Sequence, residues 1–198
     1  MQLLFPTPFI NLQLNKDDLS KVKVEASLAL GKYGVESPEG WISNSYGTFK
    51  DPDHNIIFKP EMNFTKDAIG SCISMFCDEI EVDYKNLIIG DSWLNKYEKG
   101  MGQEIHNHVR FTWSFILFIT VPEGTPPVLF YNPYRAQMAS PSPLDRPIME
   151  VPPTEGLFIL FPSYVDHSVP TQMTTQAKIS LAGNIFYDST PRSSIITG

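Results

Sequence analysis

GQEIHNHVRF, residues 102–111, places two of the chain's four histidines at positions 106 and 108, with one residue between them. On a β-strand, residues i and i+2 project from the same face. An extended reading of this stretch therefore sends both imidazoles into one space. Neutral imidazole is a good ligand for iron, zinc and copper, so His106 and His108 offer half of a metal site without rearrangement. The same extended habit continues outward on both sides. NLIIGDSWLNKYEKG (86–100), TWSFILFITV (112–121), PVLFYNP (127–133), GLFILFP (156–162), DHSVP (166–170) and AKISLAGNIFYD (177–188) are β-branched and aromatic runs separated by turn residues. Short strands at regular spacing, punctuated by Gly and Pro, point to a sandwich or barrel. In such a fold strands distant in sequence lie side by side. LFILFPSYVDHSVP (157–170) can then bring His167 toward the pair from a facing sheet.

The first part of the chain reads differently. DDLSKVKVEASLAL (17–30) has an acidic start, apolar residues at helical spacing and Gly31 as its stop. TKDAIGSCISMFCDEI (65–80) is a second helix, with Thr65 as N-cap and a stripe of Ala68, Ile69, Cys72, Ile73, Phe76 and Ile80. GWISNSYGTFKDPDHN (40–55) reads as strand and turns, and its His54 sits in a solvated turn away from any site. YRAQMASPSPLDRPIMEVPP (134–153) is Pro- and Ser-rich and reads as a long loop with little structure of its own, a length that suits a lid or binding segment. The expected organisation is one domain over 1–198, with N-terminal helices and outer strands to 83 and a β-core over 84–198.

Composition narrows the function. At 198 residues, 42% hydrophobic and 19% charged, the chain is globular. A net charge of -7 argues against nucleic acid as a partner. The longest apolar run, FILFITV (115–121), is far short of the ~20 residues a membrane helix needs, so no membrane partner is expected. MQLLFPTPFINLQL lacks the basic start and small-residue cleavage site of a signal peptide. Cys72 and Cys77, five apart on a helix, make a poor disulfide and read as buried free thiols in a reducing compartment. A cytoplasmic location follows as the expectation.

The order of the pieces carries a resemblance. LLFPTPF (3–9), GWISNS (40–45), WLNKYEKG (93–100) before H-x-H, VPEGTPPVLFYNP (121–133), EGLFILFPSYVDHSVP (155–170) and KIS (178–180) leading to Asn184 follow one another almost end to end. In this the sequence resembles the non-haem Fe(II)- and 2-oxoglutarate-dependent oxygenases. Within them it is similar to the small oxygenases of prolyl-hydroxylase type found in marine bacteria and their phages. The resemblance implies a mainly β fold with flanking helices, a double-stranded β-helix or cupin-like jelly roll. It implies that His106 and His167 ligate iron, with no catalytic residue beyond the metal centre. Most of the superfamily has Asp or Glu two residues after the first ligand, where this chain has His108. Two readings stand, a three-histidine site or a two-histidine site with His108 elsewhere, and the i, i+2 alternation favours the first. Glu104 shares the parity of the pair, and Asp166 should point away from His167.

The resemblance also implies a cation for the distal carboxylate of 2-oxoglutarate. Lys178, eleven residues beyond His167, stands where the family has arginine, and Ser180 shares its strand face. Asn95 and Tyr97, with Thr112, Ser114 and Asn184, are candidate pocket residues. The cofactors implied are Fe(II) and 2-oxoglutarate, and the activity is hydroxylation with a peptide or protein substrate such as a prolyl residue. Segments 134–153 and 43–55 would govern access to the site. Homo-oligomers and a viral assembly remain open as partners, with the host cytoplasm as location if the gene is a phage's. Two other classes stay open: a three-histidine, cupin-like dioxygenase that does not use 2-oxoglutarate, and a catalytically inactive structural protein on the same fold.

Overall fold

WSFILFIT, residues 113–120, is buried along nearly its whole length, as a strand covered on both faces must be. The computed structural model describes residues 7–37, 39, 44–49, 55–134 and 146–188, and this strand is an inner strand of its larger sheet. In chain order the elements are β1 (Ile10–Gln13), α1 (Lys16–Tyr33), β2 (Val35–Glu36), β3 (Tyr46–Gly47), α2 (Asn63–Glu79), β4 (Leu87–Tyr97) and β5 (Gln103–His106). They continue with β6 (Trp113–Thr120), β7 (Val128–Tyr131), β8 (Ile148–Val151), β9 (Leu157–Pro162), β10 (His167–Val169) and β11 (Lys178–Tyr187). Among the described residues one sheet runs β1-β9-β6-β11-β4-β3-β2 and a second runs β5-β10-β7-β8. Every pairing between these strands is antiparallel. The result is a double-stranded β-helix with helices on one side.

Strand alternation divides the large sheet's side chains between two cores. Phe115, Leu117 and Ile119 of β6, with Leu94, Leu181 and Leu160, pack against Val22, Ala26, Leu30, Ile69, Ile73 and Phe76 of the two helices. Ile116 and Phe118, with Ile159, Phe161 and Ala182, face the other way and meet Val128, Phe130 and Val151 of the small sheet. The Phe130 and Phe161 rings sit edge-to-face at 4.8 Å across that interior. The polar residues of β4 and β11 that share the inward parity are thus carried into the space between the sheets.

Local expectations are met with three differences. Helix α1 is capped by Asn15, which accepts from the Asp18 amide at 2.9 Å, but it runs through Gly31 to Tyr33 and ends at Gly34. One exposed glycine costs a helix only about 1 kcal/mol, less than burial of Ala29 and Leu30 returns. Helix α2 begins at Asn63, and Thr65 lies buried inside its first turn instead of capping it. The cap comes from α1: the Glu25 carboxylate accepts from the Phe64 and Thr65 amides at 2.9 and 2.7 Å and from the Thr65 hydroxyl at 2.7 Å. The third difference lies in the Pro-rich tract. Residues 148–151 form β8, paired with β7 from Val128↔Val151 to Tyr131↔Ile148, because strand pairing satisfies backbone groups that proline leaves unpaired only at its own position. Residues 135–145, His54 and most of GWISNS lie outside the described residues. Both cysteines are buried free thiols, with burial raising Cys72 to about 11. Among the described residues no helix is long and apolar enough to cross a membrane.

Candidate metal centre

Strands β5 and β10 pair antiparallel with His106 opposite His167, so His167 comes from the neighbouring strand of the same sheet and not from a facing sheet, and the ladder itself sets these two imidazoles side by side. Their ring centroids are 4.2 Å apart. His108 lies two residues past the end of β5, where the chain has left the strand, so the expected regular i, i+2 strand face does not extend to it. Its amide donates to the Ser163 carbonyl at 2.8 Å, and its ring still stands 5.1 Å from His106 and 5.4 Å from His167. The three residues offer one ligand nitrogen each within 4.8 Å of one another. They are the one such group of histidine, cysteine or acidic side chains among the described residues.

The hydrogen bonds orient two of the rings. His106 Nδ1 lies 2.9 Å from the Glu104 carbonyl and His167 Nδ1 lies 3.0 Å from the Val165 carbonyl. A carbonyl oxygen only accepts, so both Nδ1 atoms carry the proton and both Nε2 atoms keep a lone pair. Burial holds the rings neutral. Desolvation, then the neighbouring His106, pushes His108 down to about 4, and the same causes push His167 to about 3. His106 is lowered by desolvation as well, against the raising influence of its bond to Glu104 and of the Glu104 and Asp166 charges. Phe161 and Phe130 pack on His167 at 5.0 and 5.8 Å. The Asp166 carboxylate accepts from Asn107 Nδ2 at 2.7 Å.

The triad opens into a small cavity of about 30 Å³ between the sheets. Inward parity on β4 and β11 supplies its polar wall: Lys178 lies opposite Tyr97 and Ser180 opposite Asn95, and all four line the cavity. Lys178 is 1% exposed. Its ammonium sits 4.7 Å over the Tyr97 ring, a cation–π contact, and burial lowers it to about 8. The Tyr97 phenol, raised by burial and then by the Glu104 charge, donates to Gln103 Oε1 at 2.9 Å. The Ser114 hydroxyl donates to Asn184 Oδ1 at 2.6 Å and shares a 2.8 Å bond with Ser163.

Thr112 does not line this space. Its hydroxyl accepts the Tyr187 amide at 3.1 Å on an exposed edge, because β6 begins one residue later. Beyond the residues expected from the sequence the lining includes apolar side chains of the second core and two with polar groups, Trp93 and Gln103. Trp93 was legible as the next residue of the Asn95–Tyr97 parity, whereas Gln103 carries no such signal. The described lining contains no carboxylate. A cation on the imidazoles and the ammonium of Lys178 would leave the cavity positive, so its chemistry calls for an anion able to reach both.

Residues 91–184 match the family profile described as "Putative 2OG-Fe(II) oxygenase", a segment that includes all three imidazoles and Lys178. No curated protein matches the chain significantly in sequence. Solved structures do match in fold. A prolyl-4-hydroxylase from Pseudomonas putida is 14% identical, with 91% of this chain and 93% of that one covered at a TM-score of 0.65. An epimerase of nogalamycin biosynthesis, solved with Fe3+ and alpha-ketoglutarate, is 13% identical over 93% and 80% at 0.66. A prolyl hydroxylase from Trichoplax adhaerens, solved with a peptide fragment, is 12% identical over 91% and 83% at 0.61.

Proposed function

We propose that this chain, whose residues 91–184 match the 2OG-Fe(II) oxygenase profile, is as one domain a hydroxylase whose iron sits on His106, His108 and His167. The donor set fits the metal: three neutral imidazole nitrogens within 4.8 Å of one another, two of them with Nδ1 tied to backbone carbonyls. Fe(II) and 2-oxoglutarate together supply oxidation of a C–H bond by dioxygen, with succinate and carbon dioxide as co-products. The chain's own residues bind, orient and exclude. Lys178 takes the distal carboxylate of 2-oxoglutarate as a point charge, steadied by the Tyr97 ring. Ser180 and Asn95, beside it on the same wall, complete the polar end. Ile116, Phe118, Val128 and Phe161 keep water from the remaining wall. The observation that carries this reading is the buried ammonium of Lys178 in a lining without a carboxylate.

A peptidyl residue of the prolyl type is the substrate in keeping with the likeness to the prolyl hydroxylases of P. putida and T. adhaerens. The third imidazole favours a second reading, a dioxygenase that binds its substrate at the metal without 2-oxoglutarate. One experiment separates the two. Protein reconstituted anaerobically with Fe(II) is titrated with 2-oxoglutarate while the weak visible charge-transfer band of their complex is followed. A band saturating at one equivalent, lost in His167→Ala and weakened in Lys178→Met, supports the oxygenase. Iron without the band supports the second reading, and protein that takes up no iron refutes both. Proline-containing peptides that gain one oxygen atom by mass on turnover would support the substrate class, and their inertness would remove it.

A further inference from the structure

The ladder that places His106 opposite His167 stops at His106, so something other than strand pairing must seat His108. Two bonds tie the stretch that carries it to the segment before His167. One is the backbone bond from the His108 amide to the Ser163 carbonyl, 2.8 Å. The other is between side chains: Asn107 Nδ2 donates to Asp166 Oδ1 at 2.7 Å, across 59 residues of sequence. Asn107 stands between the two histidines of the H-x-H pair, and Asp166 immediately precedes the third. The Asp166 end is itself anchored, because its carbonyl accepts the Tyr131 amide of β7 at 2.9 Å.

We infer that Asn107 and Asp166 form a positioning clasp that sets the third imidazole of the metal site. Neither residue belongs to the group of candidate ligands. The clasp fixes where the chain leaves β5 and so where the His108 ring comes to rest beside the other two. Outer partners of metal ligands are commonly worth about 10- to 100-fold in metal affinity. The inference rests on the three-imidazole reading of the site.

The test is a titration of the purified chain with Co(II) alone, an oxygen-stable probe whose visible spectrum reports coordination number. Asn107→Ala and Asp166→Ala should each bind Co(II) about 10- to 100-fold more weakly than the unmodified chain, with an altered visible spectrum. The double alanine variant should be no worse than either single one, as expected of two ends of one interaction. Exchanging the partners, Asn107→Asp with Asp166→Asn, rebuilds the bond with its direction reversed and should restore affinity to within about threefold. Asn107 is exposed and Asp166 half-buried, so the metal-free melting temperature should be unchanged in all four variants. Affinities within twofold of the unmodified chain, or additive losses with no rescue by the exchange, overturn the clasp while the metal site stands. Failure of the unmodified chain to bind Co(II) overturns the site and the clasp together.

Discussion

Replacing Lys178 by methionine should stabilise the ligand-free protein and cripple its binding of 2-oxoglutarate. Lys178 is 1% exposed and burial lowers it from 10.5 to about 8. At neutral pH it is therefore charged in a place that disfavours charge. The depression of about 2.5 units corresponds to roughly 3 kcal/mol of folding free energy lost to that buried charge. Methionine keeps the unbranched stem and removes the charge, so the ligand-free variant should gain up to this amount, roughly 6–12 °C in melting temperature for a chain of this size. The sign with pH follows. Between about 8 and 10.5 the unfolded chain holds this proton and the folded chain does not, so the native protein gains stability as pH rises through that window and methionine abolishes the gain. The Tyr97 phenol beneath the ammonium is raised by burial and does not titrate there. A bound carboxylate reverses the balance, because it pairs the ammonium. Breaking such a pair costs roughly 3–5 kcal/mol, so the affinity for 2-oxoglutarate should fall by at least ~100-fold in the variant and should weaken in the native protein above pH 8. Thermal unfolding with and without 2-oxoglutarate, at pH 7 and at pH 10, measures all of this. A methionine variant less stable than the native chain, or one that binds 2-oxoglutarate as tightly, would refute the reasoning.

Loss of metal affinity on acidification should set in below the ordinary imidazole range, because burial lowers all three rings, His108 to about 4 and His167 to about 3. Calorimetric titration in buffers of different ionisation enthalpy would expose the contrary result, release of about one proton per metal near pH 6.5. The same depressed values mean that the metal-free protein loses stability as pH falls below 6.5, where the unfolded chain takes up protons the folded rings refuse, and urea midpoints between pH 7 and 5 check it. Gly183→Ala should cost roughly 1–3 kcal/mol, since a Cβ there would lie 2.8 Å from the Asp91 carbonyl oxygen and against the Phe115 ring. Chemical denaturation reads that loss directly. Glu25→Ala should cost about 1–2 kcal/mol by leaving two amides of α2 without their cap, with 2-oxoglutarate affinity per folded molecule unchanged.

The period-2 pattern of the second half made the sheets legible, and with them the inward parity that carries Asn95, Tyr97, Lys178 and Ser180 to one wall. Parity is a local property of an extended chain, so it can be read wherever a strand can be recognised. What escaped reading depends on tertiary partners or on strands without alternation. The α2 cap comes from Glu25, about 40 residues upstream, and no pattern within α2 announces it. Strand β8 has three exposed residues in succession, so its sequence, IMEV, shows no alternation and merges with the prolines around it. The H-x-H pair falls between these cases. Its parity argument brings both rings to one place, yet His108 arrives there from a turn, by bonds from Ser163 and across Asn107 to Asp166. A one-residue slip of β5 against β10 would flip the face of His106. The His108 side has no ladder to slip and depends on that turn. The three rings are thus brought together by two kinds of constraint, strand register for His106 and His167 and loop-to-loop bonds for His108. Spacing revealed neither, because which strands become neighbours in a sheet is a tertiary property.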